Sequence, residues 1–125
     1  MLKPLIEAAL AYTGKPNAKV RVCQDGDLRG DSTVIDKDRM LAVIDDNPLY
    51  DAYILCVDRD CRHGRPESLQ ALQDAVMEVH PDKRFVAVCG VEELEVWVLA
   101  GIPDLNEPWA EVQAHCHPKE NYFDP

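Results

Sequence analysis

A chain of 125 residues with 46% apolar side chains is about one domain with material for a real core, which excludes a disordered acidic tail. Its formal net charge of −10 argues against a passive nucleic-acid binder, which would be basic, while leaving room for an enzyme that holds nucleic acid through a metal ion or a second domain. The opening MLKPLIEAALAY lacks the apolar core of a signal peptide, and no stretch reaches membrane-spanning length, so the chain reads as cytoplasmic with no membrane partner.

In chain order, Leu2, Leu5, Ile6, Ala9 and Leu10 share one helical face, and Gly14, Lys15 and Pro16 end that helix. KVRVC (19–23) alternates as a short strand, and QDGDLRGDST (24–33) is a polar loop whose glycines fit no nucleotide-binding motif. Asp36 is placed to cap a helix over 37–45, with Met40, Leu41, Val43 and Ile44 as its apolar side and Asn47-Pro48 as its stop.

The run 53–57, YILCV, is continuously apolar, as in a parallel strand covered on both faces. A polar loop over 61–65 precedes Pro66, which suits a first helical turn, and Leu69, Leu72, Val76 and Val79 then repeat at helical spacing. His80-Pro81-Asp82 stops this helix before a third strand at 85–89, FVAVC. EELEVWVLA (92–100) predicts a helix closed by Gly101 and Pro103, and 109–115 a short final one. Alternation of this kind predicts a parallel sheet with helices on both faces, and ligands beyond the carboxyl ends of its strands.

Five cysteines, with Cys56 and Cys89 inside apolar runs, suit reduced buried thiols better than a disulfide framework. Cys61, His63, His115, Cys116 and His117 could ligate zinc, but they form no paired CxxC framework, and Cys61 has no visible base to act as a nucleophile.

The chemistry concentrates where YILCV runs into DRDC. Asp58 and Asp60 follow the strand at i and i+2, which point to the same side in extended chain. Two converging carboxylates resist joint ionisation unless something positive lies between them. A hard cation such as Mg²⁺ suits oxygen ligands of this kind; the competing reading is a solvated acidic turn neutralised by Arg59 or Arg62. Arg62 and Arg65 in the adjoining loop could grip phosphate through their planar donor forks, or simply balance the aspartates. Gly90 after FVAVC leaves room for a phosphate near the next helix.

VDRD at the end of such a strand resembles the DxD motif of the Toprim domain. VEELEVWVLAG (91–101) resembles the ElEaWlLa helix of bacterial Toprim-like proteins related to OLD-type nucleases, and HPKENYF (117–123) resembles a stretch that follows in that group. The resemblance spans about Leu2 to Phe123. It implies an α/β three-layer sandwich with a short parallel sheet, Toprim/Rossmann-like, in which Asp58 and Asp60 bind Mg²⁺ or Mn²⁺. It implies metal-dependent phosphodiester hydrolysis on DNA or RNA, with a role in defence against foreign DNA.

Glu93 and Glu95 correspond to the acidic positions of the second motif and Trp97 to its tryptophan. About 200° separates the two glutamates around a helix, so one of them, Glu95 by preference, faces the site as metal ligand or base. Acidic residues at 92, 93 and 95 also suit a helix start for purely electrostatic reasons.

The family's first strand, which ends in a catalytic glutamate, has no counterpart here. The expectation is therefore a single Toprim-like domain over 1–125 that is a fragment, truncated before its first strand and ending openly at Asp124-Pro125. The alternative is a non-catalytic Toprim-like interaction module that works with an ATPase partner protein.

Overall fold

A computed structural model describes residues 2–24, 35–90, 96–99, 101, 107–117 and 121–122. The centre is a strand–helix–strand unit. Strand β1 (Ala52–Asp58) leads through a charged loop into helix α3 (Arg65–Val79), and the chain returns as β2 (Arg84–Gly90). The strands pair in parallel, from Ala52 opposite Arg84 to Asp58 opposite Gly90. The pairing of apolar runs separated by a helical segment follows the sequence expectation of an α/β fold, realised as a two-stranded parallel sheet among the described residues.

Helix α2 (Lys37–Asp46) is set by its cap: the Asp36 carboxylate accepts from the Arg39 N–H at 3.0 Å, which satisfies a donor with no partner inside the helix. At its other end Asn47 donates through Nδ2 to the Val43 carbonyl at 2.9 Å. The Asn47 carbonyl in turn accepts from the Tyr53 hydroxyl at 2.6 Å, tying the end of α2 to β1. Met40 and Ile44 of α2, Leu72 and Val76 of α3 and Phe85 of β2 form the buried core, joined by Tyr53, Leu55 and Ala87 from the same sheet face. Burying each such side chain is worth about 1.5–3 kcal/mol relative to exposure, so this cluster fixes α2 and α3 on one side of the sheet.

The opposite face differs from expectation. Ile54 and Val86 are register partners there and remain 50% and 43% exposed, so no described helix covers that face in this part of the sheet. The apolar run is continuous in sequence, yet burial alternates along it at Ala52–Leu55. Val79, expected on the buried stripe of α3, is half exposed in the last turn, past the point where the helix leaves the core.

The segment 19–23 is not a strand. Its residues have no regular structure, Val22 is half exposed, and Arg21 reaches the Tyr50 hydroxyl at 3.4 Å just before β1. Helix α1 (Leu2–Tyr12) forms as expected, but none of its described residues is buried. Beyond β2 the described helical segments are α4 (Val96–Leu99) and α5 (Trp109–Val112); Val96, Leu99 and Val112 are buried. No described helix is long and apolar enough to cross a membrane.

A less visible feature guards the sheet. Arg84 donates its N–H to the Asp51 carbonyl, toward β1. Strand alternation then turns the N–H groups of Phe85 and Ala87 outward. Both find partners on α3: Met77 Sδ at 3.2 Å and Gln73 Oε1 at 3.0 Å.

Candidate functional site: the loop at the carboxyl ends of the strands

Loop 58–65 lies past the end of β1, where an α/β sheet offers its ligand-binding edge. Its shape comes from local hydrogen bonds. The Arg62 N–H donates to the Arg59 carbonyl at 2.9 Å and the Arg65 N–H to the Arg62 carbonyl at 3.0 Å. Asp60 and Cys61 sit at φ 47° and 55°, left-handed conformations in which a side chain is sterically disfavoured.

That turn changes the relation between the two aspartates. Extended geometry ends at Asp58, so the same-side argument for i and i+2 does not carry through to Asp60. Asp58 is half-buried at the strand end. Asp60 keeps 41% of its side chain exposed, with Oδ2 3.5 Å from Arg65 Nη1.

Arg65 is the one buried charged or polar side chain among the described residues, at 5% exposure. Besides facing Asp60, its Nη1 donates to the Asp58 carbonyl at 2.5 Å. A guanidinium can be buried only with such partners. The structure therefore places Arg65 as an internal brace of the loop, while Arg62 is exposed. Arg59 is half-buried.

Gly90 is buried opposite Asp58. The neighbouring Cys89 thiol is pushed up by burial, against the lowering influence of the Arg65 and Arg59 cations, with Asp58 and Asp60 adding to the rise. Burial likewise pushes up the Cys56 thiol.

The cysteine expectation needs correction. Cys61 and Cys116 are joined in a disulfide across 55 residues of sequence, with Cα atoms 5.4 Å apart. Cys23, Cys56 and Cys89 are free, Cys23 exposed and the other two half-buried. The pairing brings two of the considered zinc ligands together but as a covalent bridge, and it removes Cys61 as a ready nucleophile. Connectivity of this kind cannot be read from spacing.

Glu93 and Glu95, and the loop 25–34 with Asp25 and Asp27, lie outside the described residues, as does the side chain of Trp97. Among the described residues no three His, Cys, Asp or Glu side chains are grouped to hold a metal ion. Two hard carboxylate donors, Asp58 and Asp60, still suit Mg²⁺, which retains waters and takes few protein ligands; Arg65 competes for the second.

Sequence reasoning missed one further cluster. Glu107 Oε2 accepts from the Tyr122 hydroxyl at 2.6 Å and lies 3.2 Å from His115 Nε2, whose ring meets Tyr122 edge-on at 5.9 Å. No spacing rule signals this group, because its members are 8 and 15 residues apart and meet only through the tertiary fold. It flanks the disulfide through His115, the neighbour of Cys116.

Compared with known proteins, the chain matches no family model, no curated protein and no solved structure.

Proposed function

We propose that this chain is a Toprim-like α/β domain that carries out metal-dependent phosphodiester hydrolysis on DNA or RNA, in keeping with a role in defence against foreign DNA. One observation carries the reading: an acidic and arginine-rich loop stands at the carboxyl end of a parallel strand pair, with Asp58 in register with Gly90. Asp58 and Asp60 would hold Mg²⁺ or Mn²⁺, with Glu95, or else Glu93, as a further ligand or base.

Such a cation supplies charge for the phosphate oxygens and lowers the pKa of its bound water. Arg62, exposed on the loop, is the residue positioned to meet phosphate. Arg65 contributes by holding the loop. With an acidic chain overall, the cations of this loop have to outweigh general repulsion of nucleic acid.

The test is Mn²⁺ binding and nicking of plasmid DNA and structured RNA by the whole chain and by Asp58→Asn. That substitution keeps the backbone carbonyl that Arg65 uses. Activity that disappears in Asp58→Asn supports the reading. Failure of the folded wild type to bind Mn²⁺ or cleave any form overturns it.

A second reading has its own support. Arg65 already stands beside the Asp60 carboxylate, as expected if the loop keeps its shape without a metal. On that reading the domain is an interaction module for an ATPase partner, and binding survives Asp58→Asn. The cytoplasmic assignment is also our inference. It rests on the three free thiols, and the Cys61–Cys116 bridge weighs against a permanently reducing compartment.

A further inference from the structure

We propose that the Cys61–Cys116 disulfide is a reversible redox site, exchanged by small-molecule thiols, whose state sets how firmly the C-terminal segment 113–117 is held against loop 58–65. The inference stands on the bridge and the loop, and does not depend on phosphodiester chemistry.

The first ground is position. The bridge joins the turn directly after β1 to a residue 55 positions later, whereas the core of Met40, Ile44, Leu72, Val76 and Phe85 is assembled without it. Three other cysteines remain unjoined, so the chain is not built on a disulfide framework.

The second ground is access and polarity. Cys116 is exposed and Cys61 half-buried, so an incoming thiolate meets the Cys116 sulfur. Exposed bridges are the exchangeable class. Cys61 is then the leaving group, in the polar loop that carries Arg59, Arg62 and Arg65.

The third ground is the backbone. Asp60 and Cys61 occupy consecutive left-handed conformations, which persist only where surrounding structure enforces them. Opening the bridge removes one of those constraints at Cys61 itself.

The reaction balances. A thiolate RS⁻ attacks Cys116 Sγ, the S–S bond breaks, a mixed disulfide forms on Cys116, and the Cys61 thiolate leaves and takes a proton. A second RS⁻ attacks the R sulfur of that mixed disulfide and releases RSSR and the Cys116 thiolate, which is protonated in turn. Two electrons pass from two thiols to the protein, and RSSR reverses the process.

The experiment equilibrates the whole chain in graded mixtures of reduced and oxidised glutathione, followed by alkylation, mass mapping and amide hydrogen exchange. Cys61 and Cys116 are expected to titrate together while the half-buried Cys56 and Cys89 stay as thiols; exposed Cys23 takes up glutathione on its own, independently of that pair. Reduction is expected to speed exchange at 59–64 and 113–117 by at least about tenfold, with β1, α3 and β2 still protected. The double variant Cys61→Ser/Cys116→Ser should show the reduced pattern in every buffer. A bridge that opens only in denaturant overturns the proposal. So does loss of protection throughout β1, α3 and β2 on reduction, or unchanged exchange at 59–64.

Discussion

Arg65 and Asp60 lie 3.5 Å apart, with the guanidinium buried and the carboxylate partly open to water. The same Nη1 donates to the Asp58 carbonyl. A single nitrogen thereby couples the last residue of β1 to the turn that follows it and to the first residue of α3. The pair is asymmetric: solvent can replace Asp60's partner, whereas the buried guanidinium depends on partners within the fold.

That asymmetry orders a set of substitutions. Arg65→Met should destabilise the chain by about 2–3 kcal/mol, because it removes a charge-assisted bond and leaves the Asp58 carbonyl underserved. Asp60→Asn should cost less, about 1 kcal/mol, since its amide oxygen still accepts. Urea denaturation of both variants checks the ranking. Equal costs would show that burial of Arg65 does not govern the loop.

The disulfide should also contribute to global stability. Closing a loop of this length restricts the unfolded chain, typically by about 2–4 kcal/mol. The Cys61→Ser/Cys116→Ser variant is expected to be less stable by that amount and to unfold at a lower denaturant concentration, with an unchanged far-ultraviolet spectrum before the transition. Denaturation of wild type with and without reductant gives the same comparison without mutation.

The cluster around Glu107 makes a pH prediction with two signs. Hydrogen bonds from Tyr122 and then His115 hold the Glu107 carboxyl below its usual 4.5. Its contribution is therefore present above that value and fades as pH falls through the lower folded one. The bond to Glu107 pushes the Tyr122 phenol up to about 12 from 10.0. That contribution is complete below 10.0 and fades as pH rises through about 12. Absorbance titration at alkaline pH should show Tyr122 ionising late, and Glu107→Gln should bring it back toward ordinary tyrosine behaviour.

Gln73 is expected to matter more than a polar residue on a helix usually does. Gln73→Ala leaves the outward Ala87 N–H without its acceptor and should cost about 1–2 kcal/mol. Thermal denaturation measures the cost. Light scattering on the same samples should show more association, because the substitution uncovers a strand edge.

Parts of this organisation were legible from sequence because they depend on local chemistry. Asp36 is followed by an apolar helical pattern and does cap α2. Pro66 stands in the first turn of α3, and the two apolar runs form the parallel pair. KVRVC failed because alternation of Val20 and Val22 with Lys19 and Arg21 says which sides would differ, not whether a partner strand exists; strand formation is decided by neighbours. Two-sided burial of YILCV failed for a related reason: an apolar side chain such as Ile54 does not guarantee a covering layer.

The site was legible in place more than in geometry. Its loop, with Asp58, Asp60 and the arginines, follows directly from the strand reading. The left-handed turn at Asp60 and Cys61 was not foreseeable, because neither residue is glycine and the conformation is imposed from outside the dipeptide. Arg65 and Arg62 look alike in sequence. Only the position of Arg65 at the start of α3, over the strand end, distinguishes a buried brace from an exposed cation. The cysteine pairing depends on where residue 116 returns in space, which no local pattern encodes.

Met77 and Gln73 have a consequence beyond the stability of β2. By accepting from Phe85 and Ala87 they occupy the sites that an incoming strand would use, so the sheet is sealed along that margin. Any further strand, whether from this chain or from another, would have to displace two side chains of α3 before pairing with β2. The sheet is thus protected against growth on the β2 side by side chains of its own crossover helix.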